Sequence, residues 1–197
     1  MATALPVREL MSVEGPVPAA MTEAEYLRTV FHPDCDFVDG RIEVRNVGEF
    51  EHSRVQGMLI RMFGNHEREW SIFASPECRL QVAASHYRIP DVMVLRRGPK
   101  YTRVIREAPL LCIEVLSPED TWTRIRERLN DYLAMGVEHI WCFEPEAREV
   151  RRYTAQGFEK VTTPELTVPG TAIRVSIAEV FSRTGRGLTA GISFKVS

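Results

Sequence analysis

Two apolar runs, RIPDVMVL over residues 88–95 and LLCIEVLS over residues 110–117, each carry a single carboxylate: Asp91 in the first and Glu114 in the second. Both are rich in Val, Ile and Leu, and Pro, Gly or charged clusters separate them, so they read as central strands of one sheet. Side chains alternate across a strand with period two. Ile89, Asp91, Met93 and Leu95 therefore share one face, as do Leu110, Cys112, Glu114 and Leu116. If the strands pair, both carboxylates point into one pocket. A buried, unpaired carboxylate costs on the order of several kcal/mol, so each needs a partner, a metal or an exposed cleft.

Working outward, Thr22 with Glu25 three residues later is a capping-box pattern, and Tyr26, Leu27 and Val30 predict a short helix ending before Pro33. Asp39-Gly40 between two extended runs predicts a tight β-hairpin. From Glu51 to Trp70, Val55, Met58, Leu59, Met62 and Phe63 recur at helical spacing, which predicts an amphipathic helix. Strands are expected over residues 72–74, 78–83, 87–95 and 110–116. A second long helix is expected over residues 122–135, with Gly136 as its left-handed C-terminal residue. Strands at 139–143, 149–154, 159–162 and 172–175 follow, and then a short helix capped by Ser176 and ending near Phe181. The mixture lacks a regular strand–helix–strand repeat. It predicts a single α/β domain over residues 21–182 with a central mixed β-sheet flanked by helices. Residues 1–20 read as a flexible or docked N-terminal arm, and residues 183–197 as a C-terminal tail.

Composition narrows the function classes. The 197 residues are 44% hydrophobic and 26% charged, with a formal net charge of -2, the profile of a globular protein with one sizeable core. There is no overall basic excess, so any nucleic-acid contact must be local. Cys35, Cys78, Cys112 and Cys142 have neither zinc-site spacing nor a CxxC pair and read as buried thiols in a reducing compartment. No run approaches the length of a membrane span. The sequence-based expectation is a cytoplasmic protein.

Two acidic oxygens near one another suit a hard divalent cation such as Mg2+, which typically takes one or two protein carboxylates and keeps waters and substrate phosphate oxygens as its other ligands. The chemistry implied is phosphodiester hydrolysis by a metal-activated water. Spacing alone leaves a second reading open: Asp91 ends a loop after Pro90, and Glu114 pairs with an arginine from elsewhere. Between the two strands, Arg96, Arg97, Lys100, Arg103 and Arg106 surround Tyr101. They form a local basic loop able to contact phosphates, with Tyr101 able to stack on a base, or to stay a solvated connection.

The ordered set Pro90-Asp91, Ile113-Glu114-Val115-Leu116-Ser117-Pro118, Tyr132, Gly136-Val137 and Trp141 resembles the Uma family of restriction-endonuclease-like proteins in the PD-(D/E)xK nuclease superfamily. The upstream Asp39-Gly40-Arg41-Ile42-Glu43, Asn46-Val47-Gly48-Glu49 and His52-Ser53 resemble it too. The resemblance covers roughly residues 22–182 and implies a mixed sheet with flanking helices. It also implies a DNA-cleaving activity dependent on Mg2+ or Mn2+, with Asp91 and Glu114 as metal ligands. Where the superfamily motif has its lysine, two residues after the glutamate, this chain has Leu116. The family's alternative position for that lysine, four residues before the tyrosine, is Arg128. About 60° from Ile125 on a helical wheel, Arg128 sits at the edge of the apolar face. It stabilises negative charge but, being always protonated, is a poor base. The resemblance adds Glu43 as a candidate for the metal shell, the alternative being an exposed hairpin residue. His52, near the start of the long helix, is placed to touch substrate or orient a carboxylate, the alternative being a structural helix-terminal histidine. A homodimer would offer two sites for two strands. The departures at Leu116 and Arg128 keep a catalytically impaired binding module for nucleic acid or protein as the alternative.

Overall fold

The computed structural model describes residues 11–12, 17–45, 49–98 and 100–182. The expected tail and Asn46 to Gly48 lie outside the described residues, as does most of the expected arm. In chain order the elements are β1 (Met11–Ser12), α1 (Glu23–Tyr26), β2 (Thr29–Val30), β3 (Cys35–Val38), β4 (Arg41–Val44), α2 (Phe50–His66), β5 (Ile72–Pro76), β6 (Leu80–Ala83), β7 (His86–Arg88), β8 (Val92–Arg96) and β9 (Leu111–Val115). They continue with α3 (Trp122–Met135), β10 (His139–Glu144), β11 (Glu149–Thr154), β12 (Gly157–Lys160), β13 (Glu165–Thr167), β14 (Arg174–Ser176) and α4 (Ile177–Val180).

The central sheet has six strands in the order β12-β11-β10-β9-β8-β5, and a four-stranded sheet runs β4-β3-β7-β6. Only β9 and β10 pair in parallel within the central sheet, because α3 lies between them in sequence and returns the chain to the same end. The other pairings are antiparallel, which makes the sheet mixed. Two short pairs, β1 with β2 and β13 with β14, complete the described strands. No helix among the described residues is long and apolar enough to cross a membrane.

The middle of the central sheet, β8, β9 and β10, is buried on both faces, and this explains their near-continuous apolar runs. Against one face α2 lays Val55, Leu59, Met62 and Phe63, clustered with Val92, Val94, Leu111 and Ile113. Leu59 has no exposed surface, and a side chain of that size contributes about 1.5–3 kcal/mol on full burial. Against the other face α3 lays Ile125, Leu129 and Tyr132, clustered with Met93, Cys112 and Cys142. The register sets Val92 opposite Ile113 and Met93 opposite Cys112. One step further along the same antiparallel ladder, Asp91 meets Glu114 on the α3 face.

Several expectations change in detail. Residues 87–95 form two strands rather than one: β7 joins the four-stranded sheet and β8 the central one. The break falls at Ile89-Pro90, since proline lacks the N–H a central ladder needs and restricts the residue before it. The chain changes sheets there, which leaves Asp91 at the seam between them. The first helix is a single turn, capped by Thr22 and Glu25 as expected, and Thr29 and Val30 turn into β2 instead of extending it. The hairpin holds: Asp39 and Gly40 have φ of 47° and 86°. Gly136 ends α3 at φ 95°. All four cysteines are free; Cys35, Cys112 and Cys142 are buried as expected, but Cys78, in the turn between β5 and β6, is only half-buried.

Candidate active site

Polar side chains converge where β9, the start of β8, β3, the end of β4, α2 and α3 meet. Asp36, Arg88, Asp91, Glu114 and Arg128 are all buried there. Asp36 is on β3, the partner of both β4 and β7. Arg88 ends β7, and Arg45 follows β4 with its backbone N–H donating to the Asp34 carbonyl at 3.1 Å. His52 lies in the first turn of α2, and Arg128 and Tyr132 are one turn apart on α3, so both face the sheet.

Each oxygen of the central carboxylates accepts a hydrogen bond from the protein. Asp91 Oδ2 accepts from the Val115 backbone N–H at 2.7 Å, and Oδ1 from Arg45 Nη2 at 2.6 Å. Glu114 Oε1 accepts from the Tyr132 hydroxyl at 2.6 Å, and Oε2 from Arg128 Nη1 at 2.7 Å. Arg45 Nη2 also lies 3.5 Å from Glu114 Oε2, so one cationic nitrogen touches both acids. His52 Nε2 sits 3.4 Å from Asp91 Oδ2, and Gln56, one turn on, donates to the Asp91 carbonyl at 3.0 Å. Asp36 Oδ1 holds the Ile89 N–H at 3.0 Å, which fixes the chain just before Pro90. Asp36 Oδ2 is 3.1 Å from Arg88 Nη1 and 3.4 Å from Arg128 Nε.

Burial and charge act against each other across this network. Burial pushes the Asp91 carboxyl up, but the Arg45 guanidinium and His52 outweigh it and hold Asp91 below the usual carboxylate range. Glu114 goes the other way: burial, helped by the Asp91 charge, pushes it up against the pull of Arg128 and Arg45. Adjacent carboxylates whose ionisation is driven apart are a feature of catalytic sites. Burial and the Glu114 charge raise the Tyr132 phenol well above its ordinary value, so it stays a hydroxyl donor. Burial disfavours a charged His52, but the Asp91 carboxylate outweighs it and raises the imidazole above its ordinary value.

Asp91, Glu114, Arg128 and His52 are thus brought together. Glu43 is set apart from the pair. It lies opposite Asp36 on β4 and bonds Arg88 Nη1 at 2.7 Å, and Arg88 in turn holds Asp131 at 2.8 Å. The basic loop is not brought to the site. Arg96 ends β8 five residues beyond Asp91, about 16 Å along the strand. Arg96 pairs with Glu138 at 3.3 Å, and Arg97 stacks 4.2 Å over the Phe73 ring and approaches Glu67 at 3.7 Å. Lys100 and Arg103 are exposed on the same loop. Sequence reasoning did not single out Asp36, Arg45 or Arg88. A charge inside an apolar run, the signal that marks Asp91 and Glu114, is also present at Asp36 within CDFV, residues 35–38.

Among the described residues no group of three or more His, Cys, Asp or Glu side chains is gathered as a metal cage, so a cation here would rest on two carboxylates. The donor set suits a hard cation, and Arg45 Nη2 stands where one shared by both acids would sit.

The chain matches the model of the Uma2 family, described as "Putative restriction endonuclease", over residues 24–182. The chain belongs to this family. Its fold is similar to that of a solved structure from Anabaena variabilis, described as a "putative nuclease belonging to DUF820", with a TM-score of 0.69 and 23% identity. The alignment covers 82% of this chain and 97% of that one, and the shared architecture is the restriction-endonuclease-like mixed α/β fold. No curated protein matches. Within the Uma2 match fall every buried charge of the site and both strands on which the fold was read.

Proposed function

We propose that this Uma2 protein is an endonuclease that hydrolyses DNA phosphodiester bonds with Mg2+ or Mn2+ held by Asp91 and Glu114. The observation that carries the proposal is the meeting of both carboxylates, from two paired strands, on one cationic atom. A bound divalent ion would polarise the phosphodiester and lower the pKa of the attacking water. The chain's own residues do the positioning. Val115 N–H and His52 orient Asp91, while Tyr132 and Arg128 orient Glu114. Arg128, in the lysine's place, stabilises negative charge without serving as a base. Arg96 ends β8 at the end away from Asp91, so it and the loop residues Arg97, Lys100 and Arg103 would meet flanking phosphates rather than the scissile one. The reading includes a cytoplasmic setting, with which the four free cysteines agree, and a homodimer that places one site on each strand.

The experiment is cleavage of supercoiled plasmid and single-stranded DNA by the purified chain in Mg2+, in Mn2+ and in chelator. The expected result is cutting with either metal and none with chelator. Intact DNA under all three conditions contradicts the proposal. One observation favours a second reading, a binding module without catalysis: all four carboxylate oxygens are already engaged by protein donors. That reading predicts DNA or protein binding that persists in chelator, with no cutting.

A further inference from the structure

Arg45 is the cover of the carboxylate pair. Its side chain keeps 11% of its surface exposed, against 3% for Asp91 and 1% for Glu114, so it reaches the two acids from the solvent side. Burial disfavours its charge, but Asp91 and Glu114 reverse that effect and raise its pKa above the ordinary arginine value. It is a cation under all ordinary conditions. Its Nη2 bridges the acids at 2.6 and 3.5 Å, and its Nη1 is buried without a hydrogen-bond partner, 3.8 Å from Asp36 Oδ1. The guanidinium is therefore held firmly at one corner and loosely at the other. The backbone N–H bond to Asp34 anchors the residue's main chain at the end of β4.

We propose that Arg45 is an internal counter-ion that occupies the cation position of the Asp91–Glu114 pair, so that a divalent ion enters only as Arg45 leaves. The inference rests on the nuclease reading and adds to it a residue that sets metal affinity. Its basis is exclusivity. A divalent ion shared by the two acids would need the position between them that Arg45 Nη2 now holds, 2.6 Å from Asp91 Oδ1 and 3.5 Å from Glu114 Oε2. Two cations placed against one another in a buried site repel strongly. Without a metal, the guanidinium neutralises the acids and lets them stay buried. With a metal, that task passes to the ion. Arg128 differs, because it reaches Glu114 from α3 within the core and approaches Asp36 as well, so it can remain while Arg45 leaves.

The test is calorimetric titration of Mn2+ into the full chain and its Arg45→Met and Arg45→Gln variants, with melting temperatures recorded in chelator and in saturating Mn2+. The variants are expected to bind Mn2+ at least about tenfold more tightly than wild type, the scale by which residues around a site tune metal affinity. They are also expected to melt lower than wild type in chelator and to gain more from Mn2+. Adding Asp91→Asn to Arg45→Met should cancel the gain, which locates the ion. Equal or weaker Mn2+ binding by both variants overturns the inference, as does a variant that is unfolded in chelator and that Mn2+ fails to restore. Metal-dependent plasmid cutting by wild type without tighter binding in the variants removes the role of Arg45 and leaves the nuclease reading intact. Tight Mn2+ binding in the variants with no cutting by any form does the reverse.

Discussion

Replacing Arg128 with methionine destabilises the fold by about 3 kcal/mol, the low end of the cost of leaving one member of a buried ion pair without its partner. Glu114 is 1% exposed and loses its 2.7 Å bond to Nη1. It keeps the Tyr132 hydroxyl at 2.6 Å and Arg45 at 3.5 Å, and these spare it the upper end of the range. Asp36 loses its approach to Arg128 but retains Arg88 at 3.1 Å. Pairing Arg128→Met with Glu114→Leu should recover most of the loss, because apolar replacement of a whole buried pair is often neutral or stabilising. Urea unfolding of the two single variants and the double, at unchanged slope, measures the coupling directly. Additive losses would mean that the two side chains do not depend on each other. Recovery in the double would also show that the network is not there for stability, which leaves chemistry as its reason.

Asp91→Asn should reduce metal-dependent cleavage to the level seen in chelator. Changes in residues that merely support a metal ligand cost about 10–100-fold in affinity or activity, so loss of a ligand itself should exceed about 100-fold. Asparagine is the informative replacement because its amide oxygen can still accept the Val115 N–H that Asp91 Oδ2 holds at 2.7 Å. Only the charge, and with it the pairing to Arg45 and His52, is removed. Rates measured alongside circular dichroism separate lost chemistry from lost fold. Cleavage within a few-fold of wild type by a folded Asp91→Asn protein would place the metal elsewhere.

Much of the fold was legible because its signals are periodic and local. The Val55, Leu59, Met62 and Phe63 stripe, the Asp39-Gly40 turn and Gly136 each express a backbone preference that neighbouring residues reinforce. Pro90 was harder to read. Residues 87–95 have the apolar content of one strand, and only the missing N–H shows that the chain changes sheets there. The pairing of Asp91 with Glu114 follows from alternation once β8 and β9 are neighbours, and Val92 opposite Ile113 sets that register. Arg45 was not legible. It stands 46 residues from Asp91 and 69 from Glu114, and its place over the pair depends on how the four-stranded sheet meets the central one. The basic loop shows how little sequence adjacency fixes position. Residues 96–106 are adjacent in sequence to both strands that carry the acids, yet Arg96 stands at the end of β8 away from Asp91.

The most direct measurement is a crystal structure of the chain grown with saturating Mg2+. The account predicts an ion shared by Asp91 and Glu114, with oxygen distances of roughly 2.0–2.1 Å, the Arg45 guanidinium turned out of the pair, and Arg128 and Tyr132 still bonded to Glu114. An Arg45 that remains between the two carboxylates, with no ion on either, would contradict it.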